Sequence, residues 1–472
     1  MALEIAGGRL LSPFFGSSVY VWGSVISVFL IALSTGYYYG GVMADKRPSL
    51  NVLAGLIALS GLLIFMIPYL LPPVVNLVYG TNLYGLGALL AAMVLFFLPS
   101  AGLGMVSPYI VKLGVQEANN VGKLVGKFYS VSTFGSILGT LGTTFILIPL
   151  FGVRSMIYAM GAILLLLAIL IYLLNRIFKS TVILSLLLLL CLGFSLQYKP
   201  PMALSVERGR VMYERETLYN NLAVIDGWDG FRYLLFNETE QSAMAQANPE
   251  QHIWPYTDLM TAAADFYKPE ARKELLIGLG GGTIPKYTYA NRPQVDMDAV
   301  EIDPEVVKVA KEYFYLKDND RIHNIVDDGR MFLQDKQNIY DAILIDAYNR
   351  NSIPYHLTTK EFFLELAHAL KPDGVVVFNV VSGVEGEKGR FLKSLLKTSD
   401  QVFNYRKLFF AETRNSLEDP NNLILVVSNK ELKGDLVKGY KAYSGTIDTG
   451  SAIVLTDDYS PVENLAASLM TR

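Results

Sequence analysis

A single cysteine among 472 residues, Cys191, leaves this chain without an internal disulfide and without a cysteine-based metal site. Histidine is nearly as scarce. His252, His323, His356 and His368 are scattered without metal-ligand spacing, so no metal is expected. No long basic run is present and the formal net charge is -3, so nothing attracts a row of phosphates and no nucleic-acid partner is expected. Charge of either sign is also missing from one half of the chain. Asp, Glu, Lys and Arg are thin up to about Leu196 and dense from Lys199 onward, the pattern of two halves shaped by different solvents.

What fills the first half is apolar sequence, and it raises the hydrophobic content of the whole chain to 52%. A helix needs roughly 20 mostly apolar residues to cross a bilayer. Six stretches qualify: Val19 to Ala44, Val52 to Leu71, Tyr84 to Val106, Leu124 to Leu150, Ser155 to Leu174 and the shorter Thr181 to Leu196. The opening MALEIAGGRLLSPFFG is too interrupted to span and lacks the features of a signal peptide; it reads as a truncated helix. Small residues from Ser130 to Thr144 are expected to let helices pack closely. The cores of the spans hold almost no charge, which argues against an ion pathway. Gly40 to Arg47 weakly resembles the G-x-x-x-D-R/K turn of major facilitator transporters.

Basic residues fall in alternate loops: Lys46 and Arg47, then Lys112, Lys123 and Lys127, then Arg176 and Lys179, against only Arg154 on the other side. Those three loops are expected to be cytoplasmic. A full crossing by Thr181 to Leu196 would then put the second half outside the cytoplasm. Either that segment fails to cross, or the domain works outside. The expected location is the cell membrane, with the side of the C-terminal domain open.

Two prolines between Gln197 and Pro201 mark a linker. From Val211, VMYERET, NLAVIDGW and FRYLLFNE alternate apolar and polar residues between turn formers, which predicts a small antiparallel sheet. After Ala271, short apolar strands alternate with helices: ELLIGLG, DMDAVEID, IHNIVDDG, YDAILIDA, GVVVFNV, KLFFAE and NLILVVS. The alternation predicts a doubly wound parallel sheet, whose ligands bind beyond the carboxyl ends of the strands. The expected fold is a multi-pass α-helical membrane domain (1–197), a linker and small β sub-domain (198–270) and an α/β Rossmann-like, methyltransferase-type domain (271–472).

Four strand ends carry chemistry. Gly280, Gly281 and Gly282 permit a tight turn and close approach of a ligand at a helix N-terminus. Glu301 follows Gly280 by 21 residues, the spacing at which an acid accepts ribose hydroxyls. Asp328 and Gly329 suit the exocyclic amine and ring of adenine, and Asp346 points into the cleft of the transferred group; helix capping is the alternative for both aspartates. Thr283 and Pro285 stand where a dinucleotide fingerprint would have its last glycine, so a mononucleoside such as S-adenosylmethionine fits better than NAD.

This order of pieces, from the small sheet through the glycine turn, VEIDPEVV, DDG and YDAILIDAYNRNSIPYHLTTKEFF, resembles the spermidine synthase family from about Val211 to Val427. With its membrane half the chain resembles bacterial proteins that fuse transporter-like helices to such a domain. The resemblance implies transfer of an aminopropyl group from decarboxylated S-adenosylmethionine to an amine such as putrescine, without metal. It places Gly280 to Gly282 and Thr283 at the nucleoside, Glu301 on the ribose, Asp328 and Gly329 at adenine, and Asp346 in the reaction cleft. Several positions depart from the family. Its Asp after the glycines is Thr283, the second Asp of D-x-x-D is Asn349, the Tyr-Gln pair is Tyr219-Asn220, and the Tyr-His-Glu triplet is Tyr256-Thr257-Asp258.

Neutral Thr283 and Asn349 cannot hold the donor's ammonium or act as a base near neutral pH. The catalytic candidates are thus Asp346 and Asn349, and the substrate-binding candidates Asn220, Tyr256 and Asp258. Intact S-adenosylmethionine and methyl transfer form the alternative, since losing the acid at Thr283 removes a repulsion against the donor's carboxylate. A transporter or sensor that only binds a nucleoside or polyamine is the third reading. Expected partners are a small amine or a membrane-associated acceptor, the lipid bilayer and a second copy of the chain.

Overall fold

The computed structural model describes residues 1–15, 19–79, 86–115, 121–197, 209–237, 239–347, 353–412 and 416–469. Contacts divide the chain into two units, one of residues 1–204 with 216–220, the other of 205–215 with 221–472.

In the first unit the apolar stretches are helical: α1 (Ala2–Phe15), α2 (Val19–Lys46), α3 (Leu50–Tyr79), α4 (Gly87–Val115), α5 (Val121–Gly142), α6 (Ile148–Leu174) and α7 (Phe178–Gln197). Among the described residues, five helical stretches are long and apolar enough to cross a membrane, one of them Val121–Leu174, a run of 54 residues. At 1.5 Å per residue that run would extend to ~80 Å, far beyond a hydrocarbon core of ~30 Å. Its path is broken. A π-helical turn at Thr143–Leu147 joins α5 to α6, and Gly152, with φ 75° and ψ 166°, leaves helical geometry altogether. The two spans expected from Leu124 and from Ser155 are therefore pieces of one interrupted run, with the break at a residue that tolerates positive φ.

Helix α1, at 14 residues, is too short to span and buries Leu3, Ala6, Leu10 and Leu11 in the helical core. Close packing occurs where glycines cross other helices. A Cβ on Gly36 would lie 2.2 Å from the carbonyl oxygen of Ala101, and one on Gly61 2.9 Å from Leu164. From Ser130 to Thr144 only Thr143 is buried. Helix α5 has no buried residue, and Gly126, Gly135 and Gly142 face open space. The glycine-rich end of α2 has a packing role instead, since a Cβ on Gly40 would meet Met105 of α4 at 2.6 Å and Asp45 pairs with Lys112 at 2.6 Å.

The second unit opens with a four-stranded antiparallel sheet in order β1 (Gly209–Glu216), β2 (Asn221–Gly227), β3 (Phe231–Phe236), β4 (Thr239–Ala245). The last strand, TEQSAMA, is too polar at its start to announce itself in sequence. Helix α8 (Pro255–Tyr267) leads into the main sheet of β5 (Lys273–Ile277), β6 (Asp296–Glu301), β7 (Ile322–Val326), β8 (Tyr340–Ile345), β9 (Leu370–Ser382), β10 (Tyr405–Phe410) and β11 (Asn421–Ser428).

The main sheet's order is β10-β11-β9-β8-β5-β6-β7. Strands β5 to β9 pair parallel, but β11 runs antiparallel between β9 and β10, so the sheet is mixed rather than wholly parallel. The cause is the short connection from Phe410 to Asn421. Its ten residues are too few for a crossover, and a return that short makes the following strand run backward.

Both faces are covered, as near-continuous apolar strands require. Leu275, Ile277, Ile343, Ile345, Val376 and Phe378 pack into one core, and Leu276, Leu344, Val375, Val377, Ile424 and Val426 into the other. The order places the carboxyl ends of β8, β5, β6 and β7 side by side, with the four sequence-predicted acids or glycines at their tips.

Candidate functional site

Strand β5 is followed by Gly278, where φ is +97° and a Cβ would lie 2.3 Å from the carbonyl oxygen of Asp346, the residue after β8. Only glycine meets both demands. Gly280 and Gly282 also have positive φ, at 53° and 72°, and Gly282 is the N-cap of the helix Thr283–Asn291. Thr283 is therefore the first residue of that helix. Ser242 of β4 sits against the turn, its Oγ accepting from the Gly281 N–H at 2.8 Å. No motif pointed to Ser242.

Glu301 is buried at the end of β6, with Oε2 accepting from the Leu279 N–H and Oε1 from the Asp303 N–H, both at 3.1 Å. Burial raises its pKa, against the lowering effect of these backbone donors. The carboxylate thus ties the glycine turn to β6, and its remaining lone pairs are what a ribose would use. Glu301→Ala is expected to weaken nucleoside affinity at least tenfold by loosening the turn and removing the acceptor; titration calorimetry checks this.

Asp328 caps the helix Gly329–Leu333, Oδ1 accepting from the N–H groups of Arg330 and Met331 at 2.9 and 3.1 Å. Its Oδ2 faces His356 Nε2 at 3.2 Å, and chiefly this contact lowers its pKa to about 2. The capping alternative thus describes one oxygen, while the other meets a histidine that spacing did not single out. At Gly329 a Cβ would lie 2.3 Å from Ile277 Cγ2, so this glycine lets helix and strand meet.

Asp346 is half-buried, and its Oδ1 accepts from Asn379 Nδ2 at 2.9 Å while the Tyr256 hydroxyl donates to the same carboxyl group. Desolvation raises its pKa to about 6, more than these two neutral donors lower it. Among the described residues no Lys or Arg pairs with it. At neutral pH this is a carboxylate at a strand tip with two neutral hydrogen-bond donors and no counter-cation among the described residues. Asn379, buried in the middle of β9, was missed because its strand reads simply as apolar.

Other expected residues lie apart. Asp258 is two residues beyond Tyr256 on α8, about 200° around the helix, and pairs with Lys438 at 2.6 Å. Asn220 closes the Thr217–Asn220 turn, its N–H on Thr217 Oγ1 at 3.0 Å, and this turn clusters with the helical unit. Asn349 lies outside the described residues. For a metal, Asp296, Asp298 and His323 bring ligand atoms within 4.8 Å at the opposite strand ends. Lys273 Nζ already lies between the two carboxylates, 2.7 Å from Asp298, and the Tyr340 hydroxyl donates to Asp298 at 2.8 Å. An ammonium fills the place of a cation.

Tyr256 and Asp346 are thus joined, and the glycine turn is held to both β6 and β8. Residues 254–433 match the spermine/spermidine synthase domain. The polyamine aminopropyltransferase of Vibrio vulnificus (strain CMCP6) is 36% identical over 188 residues, covering 38% of this chain and 62% of that protein. An eEF1A lysine and N-terminal methyltransferase homolog of Drosophila pseudoobscura pseudoobscura is 32% identical over 196 residues, covering 39% of this chain and 27% of that one. This chain thus spans less than two thirds of the length of either curated relative. A solved structure, a probable spermidine synthase from Corynebacterium glutamicum ATCC 13032, aligns with TM-score 0.44 at 19% identity, over 56% of this chain and 95% of that chain.

The matched segment includes the glycine turn, Glu301, Asp328 and Asp346 and begins just before Tyr256. The helical unit, β1 to β4 and the segment after residue 433 lie outside it. Both relatives are named as transferases, which differ in the group they are named for moving.

Proposed function

We propose that the protein is a membrane-anchored transferase that moves an aminopropyl group from decarboxylated S-adenosylmethionine to an amine. The observation that carries this reading is Asp346, a carboxylate with no counter-cation among the described residues at the strand tip beside the glycine turn, inside the segment that matches the spermine/spermidine synthase domain. Glu301 and the glycine turn hold the nucleoside, while Asp346, steadied by Tyr256 and Asn379, receives the acceptor amine. A neutral amine attacks the carbon next to the sulfonium; the C–N bond forms as the C–S bond breaks, and the thioether leaves with the bonding pair. The proton lost from nitrogen passes toward Asp346 or water. Placement and electrostatics supply the acceleration. The long apolar helices support membrane anchoring, by length and composition.

The methyltransferase homolog among the relatives favours a second reading, methyl transfer from intact S-adenosylmethionine to a membrane-associated acceptor. Thr283, where an acid would repel the donor's carboxylate, agrees with it. Titration calorimetry of the detergent-solubilised chain with each donor separates the two. Tighter binding of the decarboxylated form supports aminopropyl transfer, tighter binding of the intact form supports methyl transfer, and binding of neither sinks both.

A further inference from the structure

Asn379 lies next to Asp346 because β8 and β9 pair parallel with Ile345 opposite Phe378, so the following residues face each other. On its other side β9 pairs antiparallel with β11, where Ile424 is opposite Asn379 and Asn422 opposite Val381. Asn422 is therefore two residues along from Asn379's partner, on the same face of the sheet and within diagonal reach. Its Nδ2 donates to Asn379 Oδ1 at 3.2 Å, while Asn379 Nδ2 donates to Asp346 Oδ1 at 2.9 Å. Two carboxamides thus stand in line behind the carboxylate, in stretches (residues 375–381 and 422–427) otherwise made of Val, Leu, Ile and Phe.

A carboxamide has a donor end and an acceptor end, and a lone one beside a carboxylate could still rotate. Here the outer amide occupies the acceptor end of the inner one, which keeps the inner N–H donors on the carboxylate. We propose that Asn422 is a positioning residue for the transfer cleft: acting through Asn379, it fixes the direction in which the Asp346 carboxylate faces the acceptor. This rests on the reading of Asp346 as the acceptor-binding group. The groups that face Asp346 are Tyr256 from α8 and Asn379 from β9, both neutral, and Gly278 from β5 meets only its backbone. No described charged group competes with the relay for control of its titration.

The full chain in detergent provides the test. Infrared difference spectroscopy follows the protonation of Asp346, whose band is identified by its loss in Asp346→Asn. A donor hydrogen bond favours the ionised form, so removing the amide that holds it raises the midpoint. Asn422→Leu is expected to raise it by about half a unit to one unit. Asn422→Ser, which adds no bulk, shifts it the same way and covers a failure of the leucine variant to fold. In an Asn379→Leu background the Asn422 substitutions should add nothing. With activity as a second readout, kcat falls about three- to tenfold while nucleoside affinity stays the same. An unmoved midpoint, or an equal shift without Asn379, overturns the relay. A shifted midpoint in a protein that transfers nothing from either donor leaves the relay standing and removes the transferase reading instead.

Discussion

Asp346→Asn should cut group transfer by about 10²- to 10³-fold and leave nucleoside binding within about twofold of the parent, because the change removes a charge and no volume. Oδ1 and the replacing amide keep the contour of the side chain, and neither Glu301 nor the glycine turn depends on its charge. The pH profile sharpens the test. With its pKa raised to about 6, Asp346 is ionised above that pH and protonated below it, so transfer that needs the carboxylate rises with pH through about 6 and levels off above. In Asp346→Asn this limb disappears. Stability responds with the opposite sign. A carboxyl whose folded pKa lies above its unfolded value binds its proton more tightly in the fold, so ionisation costs stability as pH rises between the two values. The asparagine variant should unfold at a higher temperature than the parent at pH 8 and show little difference at pH 3. Steady-state rates and thermal melts across that range check both parts.

Gly278→Ala is the substitution with the largest expected effect on folding. A side chain there must accept φ +97° and would push a methyl group to 2.3 Å from the Asp346 carbonyl oxygen. Neither difficulty is relieved by rotating a neighbour, since the obstacle is backbone. The strained dihedral and the displacement of β8 together should destabilise the domain by about 3 kcal/mol or more. Denaturant unfolding of the full chain measures this. Gly230, also at positive φ but with no atom within 4 Å of a Cβ, is the control. Gly230→Ala carries the dihedral cost alone, about 1 kcal/mol; equal losses at the two sites would mean that the contact with Asp346 carries no weight.

Much of this architecture could be read from the chain because it rests on local rules. Strands β5 to β8 declare themselves as apolar runs ending in Gly, Glu, Asp and Asp, and those ends become neighbours in the sheet as parallel order demands. The long apolar helices are equally plain. What could not be read depends on partners distant in sequence. Asn379 and Asn422 become a pair only through the register of β9 with β11, and β11 runs backward for a reason of loop length rather than composition. Asp258 looks like an acceptor-binding acid until Lys438, 180 residues later, is brought to it by a hairpin of two-residue strands. Asp328 offered capping and ligand binding as alternatives, yet its two oxygens do different things, one capping a helix and one facing His356.

At Gly278 and the Asp346 carbonyl the ends of β5 and β8 come into direct main-chain contact, with the Asp346 N–H donating to Ile277 O at 2.8 Å. The turn proposed to hold the nucleoside and the strand that leads to Asp346 meet through main chain at Gly278, so substitutions of the cleft's other side chains leave that contact in place. Change in such a domain is therefore free to act on chemistry while the geometry is inherited intact. A descendant could lose or exchange the group it transfers and still hold the same nucleoside in the same place, which makes retention of the ligand a poor guide to retention of the reaction.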